Sequence, residues 1–338
     1  MIARNEEMDG LDKVSEFIKR IPKTETHLHM EGSLPYEMLH ELDPERFPEN
    51  PEFRRPGFKF PNFVDFENLL IDHAMAWFTS AERYHQAAKA VFANLAQQNV
   101  KYVETSIHLA ITDFINAEGK EIAQAVKSAA PEGMTVRVIG ALTRDGYTDT
   151  MKSTIDSLPA WEELDGIDMH GREWLELEEW ASPIWKRFTD AGKIVKAHAG
   201  EFGGPEKIYE ALDQLGAKRV QHGVRAIEDP ALVKRLADEG VVLDTCPISN
   251  EKLRVFPSLK DHSIRHLFDA GVTCTINTDD PLCFANTISD EYEALASDLD
   301  FTREELGEIA KNGFRHARMD RNLAHDFTTR IDELVAAD

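Results

Sequence analysis

The sequence predicts an α/β fold, a (β/α)8 TIM barrel with an insertion after strand 1 and extra C-terminal helices. Three observations lead there. Short apolar, β-branched runs alternate with longer helical stretches, the pattern of βα units stacked around a parallel sheet. Eight such strands can be named, which is the number that closes a barrel. The chain has 338 residues. A barrel with ordinary loops takes about 250, so one domain spanning 1–338 has room for both additions.

Taken in order, the expected strands are Lys23–His29, Lys101–His108, Thr135–Thr143, Leu164–His170, Ile194–His198, Arg219–His222, Val241–Cys246 and Val272–Thr278. Helical patterns lie between them, among them Ser80–Gln97, Glu206–Leu215, Pro230–Glu239 and Asp261–Ala270. The last two are each followed by a glycine, Gly240 and Gly271, at a helix stop. An open doubly wound sheet would often show a glycine-rich phosphate turn after its first strand. Here the first strand ends in His27-Leu28-His29. The Pro- and Phe-rich segment Glu41–Pro61 reads as an insertion over the barrel mouth, and 41–78 as a candidate lid; the plainer alternative is a long βα loop. The tail after Phe301 is helical and charged and is expected on the outside.

Composition excludes several classes. The 61 acidic residues against 38 basic ones leave a net charge of −23. A field of that sign repels phosphate backbones, so no nucleic-acid partner is expected. No apolar run reaches the roughly 18 residues that span a bilayer. Met1–Gly10 is polar and acidic, which is not the pattern of a secretory leader. Cys246, Cys274 and Cys283 cannot all pair, and none sits in a CxxC. A reduced cytoplasmic protein with buried thiols follows. The acidic run Glu173–Glu179 reads as a solvated helix face.

In a barrel the C-terminal strand ends converge on one face, where active sites of this fold sit. Strand 1 ends in His27-Leu28-His29, strand 5 in His198, strand 6 in His222, and strand 8 runs into Asp279-Asp280. Glu201 follows His198 by three positions. Side chains at i and i+2 of a strand point the same way, so His27 and His29 can share one ion. Burying this many ionisable groups at one end costs several kcal/mol each if they are unpaired, which points to a metal site. Imidazoles plus one carboxylate suit catalytic zinc; iron, manganese or cobalt are compatible. Strand 4 ends in Asp168-Met169-His170-Gly171 without a lysine to bridge two ions, so one metal is expected.

These segments resemble the adenosine/adenine deaminase family of metal-dependent hydrolases. The resemblance runs from Pro22 to about Thr287. It rests on Thr26–Leu34, His198-Ala199-Gly200-Glu201, Gln221–Arg225, Cys246-Pro247-Ile248-Ser249-Asn250 and Asn277–Pro281. It implies hydrolysis of the 6-amino group of a small-molecule 6-aminopurine, with release of ammonia. Carried across on matched positions, it implies one Zn2+ per chain on His27, His29, His198 and Asp279. His222 would take a proton from the attacking water or stabilise the hydroxide, and Asp279 would orient it. Glu201 would donate a proton to ring N1, which requires burial to raise its pKa. Asp280 would meet N7 and the Gly171 backbone N3, with His29 and Glu31 as further substrate contacts. For Glu201 and Asp280 the plainer alternative is support of the histidines, and for Gly171 a turn.

The substrate expected from this resemblance is adenosine or 2'-deoxyadenosine, on the strength of Thr278–Leu282 and Asp290-Glu291-Tyr292. The alternatives are free adenine, favoured by Glu31 and Lys252–Phe256, and a modified nucleoside such as 6-aminodeoxyfutalosine. His108 and His170 would contact the distal part of the substrate; the plainer alternative is polar residues of the rim. A metallohydrolase of esters or cyclic amides, or a purine-binding protein without catalysis, fits the motif set less well. The His-x-Glu with Pro-Cys-x-x-Cys signature of other zinc deaminases is absent.

Overall fold

The computed structural model describes residues 13–115 and 117–337. The Met1–Gly10 stretch read above lies outside them. Eight parallel strands form one sheet in sequence order. They are β1 (Lys23–His29), β2 (Val100–His108), β3 (Thr135–Thr143), β4 (Gly166–His170), β5 (Ile194–Ala199), β6 (Arg219–His222), β7 (Val242–Thr245) and β8 (Thr273–Ile276). The seam between the first and last strands is closed just past β8, where Leu28 bridges Asp279. There the Asp279 N–H donates to His27 O at 3.0 Å and the His29 N–H to Asp279 O at 3.2 Å. Two of the three chain segments bearing the candidate ligands, those of His27/His29 and Asp279, are thus stitched to each other.

β1, β3 and β6 have the expected bounds. β8 stops two residues before the expected Thr278, because the Thr278 N–H and hydroxyl both donate to the Glu25 carboxylate instead of continuing the ladder. Helix Ala81–Gln97 starts at Ser80, whose hydroxyl accepts from the Arg83 N–H. Helix Pro230–Glu239 is capped by Asp229 and stops at Gly240 in the left-handed region (φ 61°). The helix expected at Asp261–Ala270 is only Ile264–Asp269, since the His262 ring accepts the Ile264 N–H at its start.

The segment after β1 folds as the helices Tyr36–Leu42 and Phe63–Trp77 around a short turn at Glu52–Arg54. Arg54 fastens it to the Pro281 carbonyl at 3.1 Å, and Phe66 stacks on Phe284 with ring centroids 5.3 Å apart. It forms a packed wall of the barrel mouth. Past Phe301, helix Arg303–His316 joins the barrel's outer ring: Asn312 Nδ2 donates to the Cys274 carbonyl of β8 at 3.1 Å. Helix Arg321–Ala336 follows it.

Inside the barrel, beneath the mouth, lies an ion network that the strand patterns did not announce. Lys196 pairs with Glu104 (2.5 Å) and Asp244 (3.2 Å), and Arg219 with the same two carboxylates (2.7 Å each). Two cations balance two anions, so their burial is compensated. Cys246, Cys274 and Cys283 are buried free thiols. Among the described residues no helix is long and apolar enough to cross a membrane.

Candidate active site

The strand ends bring the expected residues together at one mouth. One ligand atom from each of His27, His29, His198 and Asp279 lies within 4.8 Å of the others. His198 Nε2 is 3.1 Å from His27 Nε2 and 3.2 Å from His29 Nε2. Asp279 Oδ1 is 3.4 Å and 3.2 Å from the same two nitrogens. Each outer ring nitrogen faces an oxygen: the Asp244 carbonyl for His27 (2.9 Å), Ser106 Oγ for His29 (2.7 Å) and Asp168 Oδ2 for His198 (3.1 Å). With hydrogens on those outer nitrogens, three Nε2 lone pairs and a carboxylate converge on one point. Such donors repel each other unless a cation sits between them, so the set fits a divalent metal with three imidazoles and one carboxylate. The local potential agrees. Burial alone would lower His29, yet Asp280, Asp279 and Asp168 overcome it and push its pKa up to about 9.

Two residues reach the site through unusual backbone. His222 (φ 63°) and Asp279 (φ 67°) sit in the left-handed region, which costs a non-glycine residue of order 1 kcal/mol or more and is found where structure over-determines it. His222 is the last residue of β6 and Asp279 lies three residues past the end of β8, and the twist turns their side chains inward. His222 Nε2 stands 3.4 Å from Glu201 Oε2 and 3.9 Å from Asp279 Oδ2. Ser249, in the Cys-Pro-Ile-Ser-Asn segment, donates to Asp279 Oδ2 at 2.7 Å.

A cavity of about 300 Å³ opens over this cluster, lined by His29, Glu31, Gly171, His198, Glu201, His222, Asp279 and Asp280 and walled outside by Phe63, Phe66, Met75 and Phe114. Burial, then the charges of Asp279, Glu173 and Asp280, raises the Glu201 carboxyl well above its ordinary value. Burial and the adjacent Asp279 do the same to Asp280. The buried Asp280 Oδ1 has no hydrogen-bond partner among the described residues. Gly32 packs so closely on that carboxyl that any Cβ there would overlap Oδ1. Gly171 (φ 83°) is a left-handed turn at the end of β4. Its neighbour His170 faces His108, with Nε2 2.9 Å from His108 Nδ1, and both rings line the same cavity. Glu31 lines it too, but its Oε1 accepts from the Tyr84 hydroxyl (2.5 Å) and the His108 N–H (3.0 Å).

In the acidic run Glu173–Glu179, Glu176, Glu178 and Glu179 are exposed as expected, but no helix forms there and Glu173 is buried. Its carboxylate gathers the N–H groups of Gly200, Glu201 (3.2 Å), Phe202 (2.8 Å) and Gly203 (2.8 Å). This is a backbone nest for a carboxylate, and it holds the loop that carries Glu201. Asp168, Glu173, Ser249, Asn250 and His262 were all missed as site residues. Asp168, two positions before His170 on β4, had a legible signal in strand alternation. Ser249 and Asn250 lay inside the Cys246–Asn250 motif, which marked the segment without giving either side chain a role; Glu173 and His262 had no signal.

Comparison with known proteins places the chain. A family model described as adenosine deaminase matches residues 22–334. An adenine deaminase of Streptomyces coelicolor is 32% identical over 311 residues, covering 87% of this chain and 89% of that protein. The solved adenine deaminase of Arthrobacter aurescens matches with a TM-score of 0.82 at 26% identity, over 94% of this chain and all (100%) of that one. An amidohydrolase from Burkholderia ambifaria with bound zinc shares the fold, with a TM-score of 0.80 at 23% identity over 96% of this chain and 95% of that one.

Proposed function

The chain belongs to the adenosine deaminase family, and from that premise we propose that its site hydrolyses the 6-amino group of free adenine, giving hypoxanthine and ammonia. The observation that carries the chemistry is one cavity holding both a metal-ligand cluster and two carboxyls, Glu201 and Asp280, whose pKa burial raises well above the ordinary value. A protonated carboxyl can donate to a ring nitrogen, which is what attack at C6 of a purine needs.

His27, His29, His198 and Asp279 would hold one ion, zinc being the best fit. When bound, such an ion supplies a Lewis-acid centre that lowers the pKa of water toward ~7. The remaining steps belong to the chain's own residues. Asp280 donates to N7 and the Gly171 backbone faces N3, so the base lies with C6 toward the ligand cluster. His222 and Asp279 orient the water for attack. Glu201 delivers its proton to N1 as the water oxygen adds to C6. The C6–N6 bond then breaks: one of the water's two protons departs with N6 as ammonia, and the other returns to Glu201, which regains the proton it gave to N1.

Free adenine replaces adenosine as the leading substrate for two reasons. The relatives in hand at about a third identity are adenine deaminases. And Glu31 stands where nucleoside-specific members place an aspartate for the ribose, yet its Oε1 is engaged by Tyr84 and His108. The test is to mix the metal-loaded protein with adenine, adenosine and 6-aminodeoxyfutalosine and follow the purine absorbance. We expect kcat/KM for adenine to exceed the others by at least about 100-fold. Faster adenosine turnover would restore the nucleoside reading, and no change with any 6-aminopurine would remove the deaminase assignment.

A further inference from the structure

Asn250 and His262 have no part in the chemistry above, yet they are buried against two of its residues, at 0% and 2% exposure. Their hydrogen bonds can be directed one by one. The Ile264 backbone N–H can only donate, and it reaches His262 Nδ1 at 3.1 Å. Burial pushes His262 down to about 3, so the ring is neutral, with one acceptor nitrogen and one donor. Nδ1 accepts, so Nε2 carries the hydrogen. That Nε2 lies 3.1 Å from Asn250 Oδ1. The amide is thereby fixed: its oxygen faces His262 and its NH2 faces the site. Asn250 Nδ2 is 3.2 Å from Glu201 Oε1 and 3.2 Å from His222 Nδ1. An amide NH2 only donates, so His222 Nδ1 accepts.

Building on the deaminase reading, we infer that His262 and Asn250 are positioning residues. Together they fix His222 as its Nε2–H tautomer and hold Glu201 by Oε1. His222 then presents a hydrogen-bond donor to the attacking water, toward the space shared with Glu201 Oε2 (3.4 Å) and Asp279 Oδ2 (3.9 Å). With Nδ1 occupied and Nε2 protonated, it has no lone pair with which to take the water's proton. This decides between the two roles left open for His222, base and stabilising partner, in favour of the second. The relay leaves Glu201 Oε2 free to carry the proton that N1 receives.

The test uses the full-length, metal-loaded protein. Long-range hydrogen–nitrogen NMR of the imidazoles, with the His222 signals identified by their loss in His222→Gln, reads the tautomer directly. The parent should show His222 as neutral Nε2–H. His262→Leu removes the donor to Asn250 and should mix the His222 tautomers. Its kcat should fall about tenfold or more, the worth of one buried hydrogen bond, with KM within about threefold and metal content unchanged. His262→Gln keeps an N–H for Asn250 and should restore most of kcat. A His222 Nδ1–H tautomer in the parent, an unchanged spectrum and rate in His262→Leu, or a loss that glutamine does not rescue would each overturn the relay. If His262→Leu does not fold, the parent spectrum and His262→Gln still decide. If the parent turned over no 6-aminopurine, the spectrum would judge the relay separately from the function.

Discussion

Glu173→Gln tests whether the loop bearing Glu201 is held, and electrostatically tuned, by the buried carboxylate beneath it. In the parent, one oxygen accepts from Gly200, while the other accepts from Glu201, Phe202 and Gly203 at 3.2, 2.8 and 2.8 Å. Glutamine keeps one acceptor oxygen and turns an NH2 against N–H groups where the other stood. At best the Gly200 N–H loses its partner and three bonds weaken. A hydrogen bond to a charged group contributes about 1.5–3 kcal/mol, and an unmet buried N–H costs a similar amount. If 2–3 kcal/mol of that is lost from the positioning of Glu201, kcat/KM falls roughly 30- to 150-fold. The pH profile gives a second, independent reading. After burial and Asp279, the Glu173 charge is among the causes that raise Glu201. Glu201 must hold its proton to donate it, so activity is lost as pH rises through the raised value. Neutralising Glu173 lowers that value, and the alkaline limb should move to lower pH. The assay is kcat/KM for adenine across pH, with metal content measured alongside. An unmoved alkaline limb together with kcat/KM within about threefold of the parent would refute both parts of the reasoning.

Glu201→Gln should keep its metal and lose turnover by about 10³-fold or more; near-normal rates would strip Glu201 of the acid role. The same substitution carries a stability sign. A buried carboxyl with a raised pKa binds more protons folded than unfolded, so its cost to the fold grows as pH climbs from the ordinary value of 4.5 toward the raised one. The Tm of the variant should therefore rise relative to the parent as pH climbs above the ordinary carboxyl range; a constant difference would contradict the raised value. Gly32→Ala places a Cβ on Asp280 Oδ1, and should cut kcat/KM by about 100-fold through misplacement of that carboxyl with metal still bound; unchanged kinetics would mean that Asp280 does not touch substrate. Chelation should abolish activity and lower Tm, and zinc should restore both. Metal analysis should find about one ion per chain, and two would call for a binuclear site.

How much was legible follows from how far each residue acts along the chain. Strand alternation is local, so His27 and His29 were readable as a pair from two positions' spacing. The barrel rule then gathers strand ends that are far apart in sequence, which is why His198 and Asp279 could be joined to them. Glu173 was misread because a run of charges in sequence says nothing of the backbone N–H groups that await it. Thr278 was placed in a strand because its β-branched side chain fits one; Glu25, 253 positions away, takes its N–H and hydroxyl instead. Asn250 sat inside a quoted motif, but only its contact with His262 gives its amide a direction.

By itself the sequence determined the eight-strand alternation, the end of each strand at which the ionisable groups stand, and donor types that suit a divalent ion. These are properties of spacing and side-chain chemistry, and they survive without coordinates. The tertiary structure decided what each group does with its hydrogens. It turned His222 and Asp279 inward through left-handed backbone, raised Glu201 by burying it among three other carboxylates, and bound Glu31 to Tyr84 and His108. Proton position and pKa are set by neighbours within a few ångströms, and in a barrel those neighbours come from strands and loops tens to hundreds of residues apart.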